Sequence, residues 1–232
     1  MGTALNVIAI LVGGALGLLL GPRLPDRVRQ TVVAGMGLFT LAYALKQFFT
    51  TANALLVLGA ILIGALLGEW WQIEAGMARL GAWLERKFSP GSVDGQAASS
   101  RFVRGFLSAS LIFCIGPMAI LGSIQDGVTG DFSTLAIKSI LDGFIALAFA
   151  SSLGVGVLFS ALPILVYQGS ITLLAAQVQA VVTPAMMTEM TATGGIILMG
   201  VAVSSLLEIR QIRAGNFLPA LIIAPILAAI FL

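Results

Sequence analysis

Eight stretches of about 20 mainly apolar residues follow one another along this 232-residue chain, parted by short polar or Gly/Pro-rich breaks. A helix needs roughly 20 such residues to cross the hydrocarbon core of a membrane. Lipid offers no partner to backbone groups, so a spanning segment must satisfy them internally. The stretches fall at 3–20, 31–49, 55–70, 102–123, 135–153, 156–176, 187–207 and 217–232. Breaks such as Gly21-Pro22-Arg23-Leu24-Pro25 and Thr183-Pro184 stand between them. The chain is 59% hydrophobic and 9% charged, whereas a soluble domain carries about 25% charged residues. The expected fold is all-α: a polytopic transmembrane helix bundle of about eight spans, one integral membrane domain over 1–232. Residues 1–20 have no basic leading region, so they read as a retained helix rather than a removable signal.

The basic residues orient the bundle. Of 12 Lys and Arg, ten fall in the loops after spans one, three and seven: Arg23, Arg27, Arg29, Arg79, Arg86, Lys87, Arg101, Arg104, Arg210 and Arg213. With eight spans these loops share one side. The other side holds only Lys46, and Lys138 lies within a span. Basic loops stay cytoplasmic, so both termini are expected outside. The longest loop contains an amphipathic stretch over 72–88, with Ile73, Met77, Leu80, Leu84 and Phe88 at helical spacing and Trp70, Trp71 and Trp83 as interfacial anchors. Residues 89–100, rich in Gly, Ser and Ala, read as a flexible cytoplasmic linker.

A weak repeat runs through the apolar sequence. Residues 5–12 align with 159–166, 34–37 with 193–196, and 52–55 with 215–218. Spans one to three then correspond to spans six to eight. A shift of five spans is odd, so the two copies are expected upside down relative to each other, around a central helix pair. Inverted three-helix repeats of this kind recur in membrane transporters.

Polar residues inside apolar sequence mark the candidate site. Asp126, Asp131, Lys138 and Asp142 lie within seventeen residues of one another. An ionisable side chain in a bilayer is costly and usually faces a partner or a water-filled path. Lys138 and Asp142, four apart, share a helix face and can pair, with Ser139 close to that face. Such a pair serves structure alone, or Lys138 stands in for a bound cation and releases Asp142 when the cation binds. Gly116-Pro117 interrupts span four, because proline removes a backbone donor and clashes with the preceding turn. Either a packing kink or a discontinuous helix with exposed carbonyls follows. Asp131 suits a cap for the next helix. Glu189 opens span seven, as a helix-dipole partner or as a cation or proton carboxylate. Asn6 and Gln168 are single amides in spans one and six, and Asn53 and Asn216 read as helix caps. The candidate ion- or substrate-binding set is Asn6, Gly116, Pro117, Asp126, Lys138, Ser139, Asp142, Gln168 and Glu189.

The pattern Phe-Cys-Ile-Gly-Pro-Met-Ala-Ile-Leu-Gly-Ser-Ile-Gln-Asp-Gly-Val-Thr-Gly-Asp over 113–131, with Lys-Ser-Ile-Leu-Asp-Gly over 138–143, resembles the YdfK/YqgA-like bacterial membrane proteins, domain of unknown function 554. Leu-Pro-Ile-Leu-Val-Tyr-Gln-Gly over 162–169, Glu-Met-Thr-Ala-Thr-Gly-Gly over 189–195 and Ile-Arg-Ala-Gly-Asn-Phe-Leu-Pro-Ala over 212–220 are similar to that family as well. The resemblance implies a multi-pass protein of the bacterial inner membrane with a transport role, and supplies no substrate.

Three function classes follow. The first is transport of a small solute or ion. Three carboxylates against one lysine favour a cation, or a solute coupled to Na⁺ or H⁺. The second is a membrane scaffold or partner subunit without transport. The third, an intramembrane enzyme, is not expected: Ser108, Ser110, Ser123 and Ser139 lie near Lys138 in sequence, but no local pattern fixes a Ser–Lys pair. The chain has no histidine and one cysteine, Cys114, so neither an intramolecular disulfide nor a His-based metal site forms. No cofactor is expected beyond Na⁺ or H⁺. The expected partners are the lipid bilayer, a small ion or solute and a second copy in a homo-oligomer. Nucleic acid is not among them, since the basic residues follow the membrane topology.

Overall fold

A computed structural model describes residues 1–88 and 95–232. The described residues contain no strand. Their helices are α1 (Gly2–Leu20), α2 (Asp26–Phe48), α3 (Ala54–Trp71), α4 (Ile73–Phe88), α5 (Gly95–Cys114), α6 (Pro117–Thr129), α7 (Ser133–Leu153), α8 (Ala161–Leu173), α9 (Ala175–Val181), α10 (Pro184–Val201) and α11 (Ala220–Phe231). Short 3-10 turns lead into α8 and α11, and a π-helical stretch, Ala202–Leu206, extends α10. The expected amphipathic stretch over 72–88 coincides with α4. Of the linker expected over 89–100, residues 89–94 lie outside the described residues, and the chain is helical from Gly95.

Among the described residues, seven helices are long and apolar enough to cross a membrane, and α5 with α6 forms an eighth that bends by 61°. The break falls where Pro117 cannot donate and Gly116 does not resist. Large side chains exposed on these helices are apolar: Phe39, Leu66, Phe144 and Val166 each show more than half of their surface. Surface of this kind suits lipid and not water.

The chain divides into two compact units. The first comprises Met1–Val33, Ala78–Cys114 and Met118–Val178, and the second Ala34–Met77, Ile115–Pro117 and Gln179–Leu232. In the first unit, α1 packs along α7 through glycines. A Cβ on Gly13 would overlap the Gly143 carbonyl, and one on Gly17 the Leu147 carbonyl. Where lipid removes the hydrophobic drive between helices, close backbone approach and dispersion hold them together. Partner numbers rise together along the two helices, so α1 and α7 are parallel. The chain therefore crosses an odd number of times between them: α2, α3 and one more. This makes the bent α5–α6 pair a single crossing. Leu84, Phe102 and Phe106 form a second small core in this unit, and the Phe102 and Phe159 rings lie 5.4 Å apart.

In the second unit α3 packs on α11 and α2 on α10. A Cβ on Gly64 would come within 2.6 Å of the Ala220 nitrogen, and one on Gly195 within 2.6 Å of the Ala44 carbonyl. Leu56, Met186 and Ala228 close the core at one end, and Ala60, Ala220 and Ala224 continue it.

Helices matched by the sequence repeat pack on one another, antiparallel, within each unit. In the first unit Asn6 meets Gln168, and Gly14 lies against Leu158. In the second, Gly195 lies against Ala44 and Gly37 packs on Leu206. Gly64 lies against Ala220, and Leu227 lies against Gly59 and beside Leu56.

Candidate ion and solute site

In the first unit, Lys138 and Asp142 stand one turn apart on α7, both buried, with the ammonium on the Asp142 carboxylate. The same carboxylate oxygen, Oδ2, accepts from Asn6 Nδ2 on α1 at 3.0 Å. Asn6 Nδ2 also donates to Gln168 Oε1 on α8 at 3.2 Å. The Phe113 ring of α5 lies 6.0 Å from the lysine nitrogen. Four helices thus converge on one ion pair. Each ionised group facing lipid would cost roughly 3 kcal/mol on insertion scales, so mutual pairing offsets much of the cost. Pairing leaves some capacity unused. Asn6 Oδ1 and Gln168 Nε2 are buried without a hydrogen-bond partner among the described residues. Buried polar groups are seldom left so.

Asp126 lies at one end of this arrangement. Its carboxylate accepts from the Gly2 amide at 2.9 Å and meets the Met1 nitrogen. Unpaired amides and the positive end of the helix dipole favour a carboxylate there. Gly2 is one turn from Asn6 on α1, about 6 Å along the axis. Asp126 therefore anchors the start of α1 and is not bonded to Lys138 or Asp142. Ser139 turns its hydroxyl to the Leu135 carbonyl at 2.6 Å, in its own helix. Outside the membrane spans, Asp131 accepts from the Ser133 amide at 2.9 Å and from Gln125 at 2.7 Å. The Ser133 amide holds its carboxyl below the ordinary aspartate value.

The second unit holds Glu189, fully buried on α10. It accepts from the Thr51 hydroxyl at 2.6 Å and the Ala52 amide at 2.8 Å. Thr51 accepts from the Asn53 amide, and Asn53 caps α3 through the Leu55 amide. Residues Ile115–Pro117 also belong to this unit, where Ile115 lies against Gly194. At the other end Asn216 caps α4, accepting from the Glu74 amide at 2.8 Å, while Glu74 accepts from the Gly215 amide at 2.8 Å. Burial pushes the Glu74 carboxyl above its ordinary value. Glu69 pairs with Arg213.

Residues 1–229 match the family model described as "Protein of unknown function (DUF554)". The chain belongs to this family. The uncharacterized protein YqgA of Escherichia coli (strain K12) is 34% identical over 229 residues, covering 99% of this chain and 96% of that protein. The uncharacterized membrane protein YdfK of Bacillus subtilis (strain 168) is 29% identical over 229 residues, covering 97% of this chain and 94% of that protein. No solved structure matches the chain. This DUF554 chain is a helical multi-pass membrane protein.

Of the residues singled out in the DUF554 sequence, the structure joins Asn6, Lys138, Asp142 and Gln168. It sets Asp126 one turn away, spends the Ser139 hydroxyl on its own helix, and groups Gly116, Pro117 and Glu189 in the second unit. Sequence reading passed over Gln47 and gave Thr193 no role. Both are buried, and neither Gln47 amide end nor the Thr193 hydroxyl has a partner among the described residues. Gln47 lies near the end of the stretch 31–49, beside Lys46, where a single amide draws no notice. Its spacing of four from Thr51, matched by that of Thr193 from Glu189, is the signal that would have found the pair.

Proposed function

We propose that the chain moves a small solute or cation across the bacterial inner membrane, with Asp142 as the binding carboxylate and Lys138 as its internal counter-ion. Asn6 and Gln168 position Asp142 and offer the remaining polar contacts. One observation carries the reading: the ion pair is buried in an apolar bundle, yet the amides around it keep an unused acceptor, Asn6 Oδ1, and an unused donor, Gln168 Nε2. A pair retained for structure alone is better met by apolar packing or by a fully satisfied network. A binding site needs groups left over for the ligand. Cation binding at Asp142 would displace the Lys138 ammonium, and the charge of the site is conserved when that ammonium gives up its proton as the cation enters.

Topology supports the same reading. Basic loops after spans one, three and seven favour both termini outside. α1 and α7 then begin at the outer face, which puts Asn6, Lys138 and Asp142 in the outer half of the bilayer.

The test is flux through sealed vesicles holding purified protein, screened with Na⁺, K⁺, protons and small solutes. We expect saturable flux in the wild type. Asp142→Asn is expected to abolish it and Lys138→Met to reduce it at least about tenfold, with both proteins folded. Normal flux in both variants sinks the assignment.

A further inference from the structure

We propose that the second unit holds a site for a dehydrated monovalent cation of the size of Na⁺, built from Glu189 and Thr193 of α10 and from Gln47 and Thr51 at the end of α2. It does not depend on the transport reading, because Lys138 and Asp142 belong to the other unit.

Glu189 has none of its surface exposed, and its two oxygens meet only neutral donors, the Thr51 hydroxyl and the Ala52 amide. Among the described residues no lysine or arginine pairs with it. Neutral donors spread the charge without cancelling it. Glu189 is the sixth residue of α10, about 7 Å along the helix, so water does not readily screen it. One buried carboxylate calls for one positive charge, which a monovalent ion supplies and a divalent ion exceeds.

The neighbouring groups decide between a proton and a metal ion. Thr193 is four residues beyond Glu189, on the same helix face. Its hydroxyl is fully buried and unpartnered. Gln47 faces α10 from α2: its Oε1 lies 3.8 Å from where a Cβ of Gly194 would stand, and its stem packs 3.1 Å from that of Gly195. Both ends of its amide are unpartnered, and the residue is 4% exposed. A proton needs one acceptor and would leave Gln47 and Thr193 as they are. A metal ion draws several oxygens at once, and carboxylate, hydroxyl and amide oxygen are the hard donors it selects. Gly195, against the Ala44 carbonyl and the Phe48 nitrogen, lets the two helices come close enough for both sides to contribute.

The test is Na⁺ binding to the purified full-length chain in detergent. Radioactive Na⁺ measures stoichiometry, and thermal unfolding in NaCl is compared with choline chloride at equal ionic strength. About one Na⁺ per chain is expected, with a rise of a few degrees in the unfolding midpoint. Glu189→Gln and Thr193→Val are each expected to weaken binding at least about tenfold. In Asp142→Asn, the Na⁺ that depends on Thr193 and Gln47 is expected to remain bound, whatever becomes of binding in the first unit. Thr193→Val and Gln47→Leu leave the bonds of Glu189 to Thr51 and Ala52 in place, so they decide the matter if Glu189→Gln does not fold. Absence of saturable Na⁺ binding overturns the proposal. So does stabilisation by acid alone, or binding unchanged in both Thr193→Val and Gln47→Leu. Loss of binding in Asp142→Asn with retention in Thr193→Val moves the ion to the first unit and also overturns it. Absent flux with Na⁺ binding intact removes the transport reading and leaves this one standing.

Discussion

Asn6 of α1 donates to Asp142 of α7 across 3.0 Å, between helices that run parallel and touch through glycines. Hydrogen bonds between membrane helices average about 0.6 kcal/mol in double-mutant cycles. Bonds to a charged acceptor are worth about 1.5–3 kcal/mol, which puts this one toward the upper figure. Asn6→Leu also leaves Gln168 Oε1 without its donor. We expect a loss of about 2 kcal/mol in denaturant unfolding in detergent. A loss under about 0.5 kcal/mol would show that the bond contributes little.

Lys138 and Asp142 form a coupled pair. Removing one partner strands the other charge in an apolar bundle, at about 3–5 kcal/mol. Lys138→Met and Asp142→Leu are each expected to destabilise by that order. The double variant is expected to lose far less than the two losses added together, because neither charge is left behind. A double-mutant cycle measures this coupling directly, and additivity would mean that the two side chains act independently.

Glycines separate into two kinds. A Cβ on Gly17 would overlap the Leu147 carbonyl, while one on Gly35, in α2, meets nothing within 4 Å. Gly17→Ala is expected to destabilise by about 1–3 kcal/mol through forced separation of α1 and α7. Gly35→Ala is expected to be neutral or to stabilise by up to about 1 kcal/mol, because alanine loses less backbone freedom in a helix. Thermal midpoints of the two variants should move in opposite directions, or only the first should move.

The turn between α6 and α7 is expected to loosen in acid. The Ser133 amide lowers the Asp131 carboxyl below its ordinary value. A depressed folded value means that the contribution is fully present above the unfolded value, about 3.9. It is lost as pH falls through the folded value. Hydrogen exchange at Ser133 should accelerate in that window, and Asp131→Asn should flatten the response. An unchanged pH profile in Asp131→Asn would assign the effect to another group.

Both ends are expected outside. A periplasmic-type reporter fused after Leu232 should be active and a cytoplasmic one silent. The reverse result would invalidate the orientation and the depth assigned to Asp142 with it.

The apolar spans were legible in the sequence, since each depends on local composition. The pairing of Lys138 with Asp142 was legible too, because four residues on a helix fix their proximity. Asp126, grouped with this pair in the candidate set, is not bonded to it. A carboxylate near a helix end has two outlets, a distant cation or the free amides of another helix, and Asp126 takes the amide of Gly2. Asn216 was expected to cap a helix start and does so at α4, through the Glu74 amide.

Taken alone, the sequence determined that this chain is a helical membrane protein and which side chains would be costly in lipid. Length and apolarity decide insertion one segment at a time, without reference to neighbours. Only the tertiary structure decided which costly groups meet. That choice depends on the rotation and register of each helix about its own axis, set by contacts such as Gly13 on Gly143 and Gly64 on Ala220. A shift of one residue turns a helix by about 100°, enough to take Asn6 away from Asp142 or Gln47 away from Gly194, while leaving every hydropathy signal unchanged.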